Sequence, residues 1–424
     1  MARASGTGEA PAGAGAVELE QIAAAHAEIA PVITRTPSLS LPAIDELLGA
    51  RIALKAESLQ QTGSFKARGV SVKLASLGGR VERGVVAGTA GNHGRALAWA
   101  AKRHGVPCKL FVPEDAPISK TEPAARLGAS LTRTEGTVDD CVERARELAA
   151  SDGLTLIHPF DDPHVIAGQG GVGLELLEDV PDLAKVLVPL GGGGLASGIA
   201  IAVKSQRPEV EVVGVQVIAC ASYPASLEQG EPVTVKPTRT VADGIAVKRP
   251  GVITLPLVQR WLDEIAVVSD DEVGDAMADL LGEAKLVVEG AGAVGIAALA
   301  GGHVAPAQSG STAVVLSGGN VDETLVGAVA RRGASRHGRG AVLFTTISDR
   351  PGSLARLLAA VGATGASVVD VRHVRDVVNL HVAETGVELI LDTRDPEHTS
   401  QIVEDLSGRG YTVRRQHTTE RSEG

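Results

Sequence analysis

Short apolar runs rich in valine and leucine alternate along this chain with alanine-rich segments of helical period, and glycines crowd the joints between them. The runs at 84–87, 108–112, 185–189 and 210–217 have the length and β-branched content of buried strands. Segments at 94–104, 116–127 and 196–207 carry the helical period. Strands that are apolar on both faces, with helices between them, belong in parallel sheets, because helices must cover both sides. The expected fold is therefore α/β, built on parallel sheets. Further helices are expected at 17–29, 270–283 and 293–300, and a strand at 313–316.

A length of 424 residues leaves room for two or three domains, each with its own core. Aromatic residues make up only 2% of the chain, so the cores must be built from Ala, Val, Leu and Ile, and stacking platforms for nucleic-acid bases are not expected. A net charge of −11 argues against a polyanionic partner. No apolar run approaches the roughly 20 residues needed to span a bilayer. Cys108, Cys141 and Cys220 form no C-x-x-C pair and read as small buried hydrophobes in a reducing compartment. These features describe a cytoplasmic protein with no nucleic-acid or membrane partner. Residues 1–17, small and weakly polar, read as a disordered leader and not as a signal peptide.

The texture breaks at 331–340 into Arg-Arg-Gly-Ala-Ser-Arg-His-Gly-Arg-Gly, which reads as a solvated linker in preference to a nucleic-acid contact. Beyond it, strands are expected at 342–347, 367–374, 387–392 and 411–414, with helices at 353–363 and 396–408. A βαββαβ order within about 80 residues is a ferredoxin-like unit.

Four segments carry candidate chemistry. In Gln61-Thr62-Gly63-Ser64-Phe65-Lys66-Ala67-Arg68-Gly69, one lysine sits behind an aromatic ring among small residues that admit a flat cofactor. Gly191, Gly192, Gly193 and Gly194 follow an apolar strand and precede a helix beginning near Leu195. Successive backbone N–H groups there can converge on a phosphate, aided by the positive end of the helix. Dinucleotide sites use a similar turn, but Ala196 stands where their third glycine would be. Gly88-Thr89-Ala90-Gly91-Asn92-His93-Gly94 joins another strand to another helix, and Leu316-Ser317-Gly318-Gly319-Asn320 ends a further strand.

Together these segments resemble the pyridoxal phosphate site of the threonine and serine dehydratases, the fold-type II pyridoxal 5'-phosphate enzymes. Segments 165–170, 240–245 and 288–293 extend the resemblance over about 18–330. It implies two open, twisted parallel-sheet subdomains with the cofactor between them, the smaller one, about 83–162, inserted in the larger. It also implies that Lys66 forms a Schiff base with the cofactor and serves as the catalytic base. Asn92 would contact the ring oxygen, Ser317 the ring nitrogen, and the four glycines with Leu195 the phosphate. Phe65 would pack near the ring or simply in the core. Ser64 and the backbone amides of Thr89, Ala90, Gly91, Asn92 and His93 would hold the substrate carboxylate, with the His93 side chain read as a helix cap. Glu289 reads equally as a residue near the ring or as a structural carboxylate.

Two departures narrow the resemblance. Serine racemases of this family carry an acid–base serine before the Gly-Asn pair, where this chain has Ala90, so one-base elimination is favoured. Metal-activated members carry carboxylates where this chain has Gln216 and Ser222, so no metal is expected. At the first strand–helix turn of the C-terminal unit (341–417), Asp349-Arg350-Pro351-Gly352 resembles the ACT domain, a module that binds amino acids. The resemblance implies a threonine dehydratase with an amino-acid substrate and an amino-acid effector such as isoleucine or valine; a serine racemase or β-replacement enzyme of the same fold, or a non-catalytic amino-acid sensor, is the alternative. It is expected to be a homo-oligomer, dimer or tetramer.

Overall fold

The computed structural model describes residues 17–89, 91–336, 338–374 and 383–415. The expected leader therefore lies outside the described residues except for Val17, which is buried. The chain divides into two compact units, one ending at Leu325 and the next beginning at Val326.

The first unit holds two sheets. The larger has six strands in the order Ser38–Leu39, Ile52–Lys55, Ser311–Val315, Leu183–Pro189, Glu211–Val217 and Glu264–Val268. All neighbours are parallel except the first pair. The smaller has four parallel strands in the order Ser130–Thr134, Cys108–Pro113, Val85–Gly88 and Thr155–Leu156. In the chain these strands all fall between Ile52–Lys55 and Leu183–Pro189 of the large sheet.

Hydrophobicity explains the layering. In Leu183–Pro189 every residue but Ala184 is buried, and the helices Gly194–Gln206 and Gly290–Ala300 are apolar almost all round. Helices of that kind are core elements, not surface ones. Val186, Val188, Ile199, Val203, Val212 and Val315 meet in one cluster beside the central strands. Each such side chain contributes about 1.5–3 kcal/mol on burial. Several elements escaped the sequence reading, among them Ser130–Thr134, which is largely exposed and has no apolar run, and Val138–Asp152, which opens with a capping box of Thr137 and Asp140 that was there to be read.

The helix Lys66–Leu77 is held in a fixed place. Arg68, fully buried two residues after Lys66, donates to both carboxylate oxygens of Glu57 and of Glu175 at 2.7–2.9 Å. Lys55, also fully buried, pairs with Glu175 at 2.7 Å and Asp179 at 3.2 Å. Farther along, a Cβ on Gly69 would lie 2.7 Å from the Val165 carbonyl, so this helix and Pro163–Asp179 touch through their backbones.

The second unit is a four-stranded antiparallel sheet in the order Ser367–Val374, Glu384–Asp392, Gly340–Ser348 and Val413–Arg415. With helices Ser353–Ala363 and Pro396–Gly408 this is the expected ferredoxin-like fold, closed over Leu343, Leu357, Val361, Leu389, Ile402 and Leu406. The expected linker needs correction. Residues 331–336 are the last turns of a helix, Glu323–Arg336. Arginine and alanine are good helix formers, and Val329 and Gly333, four apart, supply a buried face.

Candidate active site

The segments that were singled out in the first unit lie where parallel strands end. Lys66 follows Ile52–Lys55, Thr89 and Asn92 follow Val85–Gly88, the four glycines follow Leu183–Pro189, and Ser317 follows Ser311–Val315. Loops beyond the carboxyl ends of parallel strands are where open α/β sheets bind ligands. Here they surround one cavity of about 1460 Å³, lined by Phe65, Lys66, Thr89, Gly91, Asn92, His93, the four glycines, Leu195 and Ser317. Ser64 does not line it. That residue is fully buried, bridges to Gly318, and its hydroxyl finds no partner. Ala90 lies outside the described residues, and Asp349, Arg350, Pro351 and Gly352 belong to the second unit.

Lys66 is the first residue of its helix, and its Nζ donates to the Pro159 carbonyl at 2.8 Å while lying 5.0 Å from the centre of the Phe65 ring. Burial pushes the amine down from its usual 10.5 to about 8, against the pull of Glu289. An ammonium loses more from desolvation than a neutral amine, so the cavity favours the form that can act as nucleophile and base. The lysine loop is stitched to the Ser317 loop: Phe65 N–H donates to the Ser317 carbonyl at 3.1 Å, and Gly319 N–H to the Gly63 carbonyl at 2.9 Å. Ser317 is nearly fully buried.

The glycine turn leads into the 13-residue helix Gly194–Gln206. Gly193 has a φ of +94°, and a Cβ there would lie 2.0 Å from the Tyr223 hydroxyl. Tyr223 Oη and Thr254 Oγ1 donate to the Gly192 carbonyl at 3.1 and 2.7 Å, fixing the turn. The first N–H groups of a helix have no partner within it. A backbone cup with free donors, a helix N-terminus and a buried amine fit pyridoxal phosphate, whose phosphate and aldehyde require those groups.

His93 corrects its expected role. Its helix, Asn92–His104, is capped by Gly91 with no side-chain cap. The imidazole is buried, with Nε2 at 2.9 Å from the Ile157 carbonyl and Nδ1 without a partner. Burial and the nearby Lys66 push it down to about 3, so it stays neutral. Because a carbonyl only accepts, Nε2 carries the proton and Nδ1 is an acceptor. Glu289, for which a place near the ring and a structural role were both open, lines the cavity and accepts from Asn92 Nδ2 at 2.6 Å. Burial, reinforced by Asp243, pushes its carboxyl up from 4.5 to about 7. Arg95, Asn320, Pro159 and Phe160 also line the cavity and were not found by sequence reasoning. Asn320 stood inside a recognised motif, but nothing local indicated its contacts.

Residues 29–319 match the family described as pyridoxal-phosphate dependent enzyme. The chain is 42% identical to an L-threonine ammonia-lyase of Thermotoga maritima over 94% of this chain and 99% of that protein. Among solved structures, the threonine deaminase of T.th. aligns with a TM-score of 0.68 and 41% identity, covering 72% of this chain and 99% of the other. Maize serine racemase aligns with a TM-score of 0.71 and 33% identity, over 76% and 99%. A lysine at a helix start, a glycine cup and a serine at a strand end lie together on one cavity in a chain that its relatives match over most of its length, and the chain belongs to the pyridoxal-phosphate-dependent enzymes, in the group of the threonine ammonia-lyases.

Proposed function

We propose that this chain deaminates L-threonine to 2-oxobutanoate and ammonia, and also accepts L-serine, giving pyruvate. The observation that carries the reading is the buried Lys66 amine on the cavity, which burial brings down to about 8; by the family resemblance, alanine occupies position 90, where racemases carry a second acid–base serine. The names of the relatives support the same chemistry.

When bound, pyridoxal phosphate supplies the electron sink for loss of the α-proton. The residues divide the remaining work. The four glycines and the first turn of Gly194–Gln206 hold the phosphate. Asn92 would meet the ring oxygen, Phe65 would flank the ring and Ser317 would face the ring nitrogen, where a hydroxyl, too weak an acid to enforce a pyridinium, would leave the electron sink a mild one, suited to elimination. Backbone amides of Asn92 and His93, at the start of the helix Asn92–His104, would hold the substrate carboxylate; the Thr89 N–H is taken by the Phe111 carbonyl at 2.9 Å and that of Gly91 by the Thr89 hydroxyl at 3.3 Å. Lys66 Nζ would take the α-proton, which balances the proton the β-hydroxyl needs to leave as water, and hydrolysis of the released enamine would consume one water and yield ammonia and the keto acid.

For the second unit we propose an ACT domain in which Asp349, Arg350, Pro351 and Gly352 bind isoleucine or valine between two copies of the chain. Gly352 has a φ of +84° at the start of Ser353–Ala363, a left-handed turn that glycine adopts without strain. Binding would favour one quaternary state of a dimer or tetramer, and the acidic charge supports a cytoplasmic enzyme. Assays of keto acid release from L-threonine and L-serine, each with and without isoleucine and valine, test both proposals. Threonine turnover is expected, altered by one effector in the intact protein and unaltered in Asp349→Ala. Racemisation is the second reading, favoured by the likeness to maize serine racemase. Chiral analysis of L-serine incubations decides between them, and D-serine forming faster than pyruvate would overturn the lyase reading.

A further inference from the structure

A chain of side chains runs behind the Asn92 contact with a defined direction. Arg95 Nη1 donates to Asn320 Oδ1 at 2.5 Å, Asn320 Nδ2 donates to Asn92 Oδ1 at 2.7 Å, and Asn92 Nδ2 donates to Glu289 Oε1 at 2.6 Å. The second N–H of Asn320 goes to the Thr62 carbonyl at 2.9 Å. A guanidinium can only donate and a carbonyl can only accept. The two together leave Asn320 one possible amide orientation, which in turn leaves Asn92 one. A carboxylate at the far end agrees with it. Asn92 therefore keeps one N–H uncommitted, and its oxygen is occupied.

Two glycines make room for this chain. A Cβ on Gly63 would lie 2.5 Å from Asn320 Oδ1, and one on Gly318 would lie 2.2 Å from Glu289 Oε1. Thr62, whose carbonyl Asn320 holds, has a φ of +65°, a strained conformation for a β-branched residue. It lies four residues before Lys66. One amide thus restrains both the lysine loop and the asparagine that faces the ring.

We propose that Asn320, backed by Arg95, is a positioning residue that fixes the polarity of the Asn92 amide, so that the cofactor ring oxygen is met by an N–H and not by a carbonyl. The inference rests on the reading of Asn92 as the ring-oxygen contact. With an N–H offered, the ionised ring oxygen is stabilised; with a carbonyl offered, it is repelled.

The test is titration of apoprotein with pyridoxal phosphate, read by its visible absorption, with the apoprotein melting temperature as the control for folding. Asn320→Asp keeps the size and the partner of Arg95 but removes the donor to Asn92, so it is expected to weaken cofactor binding at least tenfold. In the double variant Asn320→Asp with Glu289→Gln, a donor stands where the carboxylate was, and both bonds of Asn92 can run in the opposite direction, the Thr62 carbonyl alone losing its donor. Recovery of the melting temperature without recovery of affinity is expected. Recovery of both would mean a merely structural role and would overturn the proposal, as would wild-type affinity in Asn320→Asp. Asn92→Ala separates the underlying reading: wild-type affinity and spectrum in that variant would remove Asn92 from the cofactor altogether, whatever Asn320 does.

Discussion

Lys66 shows what burial does to a single residue. In water its amine is almost wholly protonated at neutral pH, but in this cavity burial brings it down to about 8. Capture of pyridoxal phosphate by the apoprotein should accelerate as pH rises through about 8, because only the neutral amine is a nucleophile; stopped-flow absorbance checks this. Lys66→Ala should lose that absorption band and at least about 10³-fold in threonine turnover. Glu289 has the opposite sign. Its carboxyl titrates near 7 in the folded protein and near 4.5 in the unfolded chain, so the folded state binds the extra proton between those values. Apoprotein stability contributed by this group is complete below pH 4.5 and is lost as pH rises through 7. Glu289→Gln should therefore melt higher than the wild type at about pH 8, with the difference shrinking toward about pH 5. A variant that melts lower on the alkaline side would contradict the burial argument.

At the scale of elements, the site depends on how helices start. Both Lys66–Leu77 and Gly194–Gln206 begin at the cavity, one presenting an amine and the other a row of backbone donors. The second arrangement tolerates no side chain at its cap. Gly193→Ala must adopt a positive φ, at a cost of about 1–3 kcal/mol, and would also crowd the Tyr223 hydroxyl. Weaker cofactor binding with the lysine chemistry intact is the expected outcome in an apoprotein titration. The first arrangement rests on a buried ion cluster. Removing Arg68 leaves Glu57 and Glu175 without their main cation, and breaking such pairs costs about 3–5 kcal/mol. Urea unfolding of Arg68→Ala should show a loss of that order, with the active-site chemistry affected only through folding.

Two ion pairs connect the layers of the first unit across the cavity. Lys120, on the helix Ile118–Arg126, pairs with Asp243, and Lys248 pairs with Asp139 at 2.6 Å. All four residues line the cavity, and each pair is partly exposed, so their combined worth to stability is small, about 1 kcal/mol or less per pair. Lys120→Ala with Lys248→Ala should leave the melting temperature nearly unchanged and raise KM for threonine severalfold. Added salt should raise the wild-type KM in the same direction. An unchanged KM in the double variant would show that the pairs do not hold the two sheets against the substrate. The regulatory proposal belongs to this scale as well, since it concerns copies of the whole chain.

The features written locally were legible without a structure. A parallel-sheet strand needs a continuous apolar run, a glycine turn between strand and helix is a run of consecutive residues, and each leaves its mark within about ten positions. Hence several strands, the glycine turn 191–194 and the ferredoxin-like order of the last unit could be read from the residues, whereas Lys66 and Ser317 were singled out by the family resemblance of their segments taken together. Tertiary structure alone decided what depends on proximity. Arg95 and Asn320 are 225 residues apart, and Asn92 and Glu289 are 197 apart, so no local pattern joins them into one directed chain. Burial, too, is a property of the assembled fold: it made the His93 ring a neutral acceptor instead of a helix cap, kept Ser64 out of the cavity wall, and let Val329 and Gly333 continue a helix into an arginine-rich stretch that by composition reads as a linker. Sequence thus determined which groups are present, and the fold determined which of them face one another and in what state of protonation. Desolvation and hydrogen-bond polarity arise only when distant segments close around a common space.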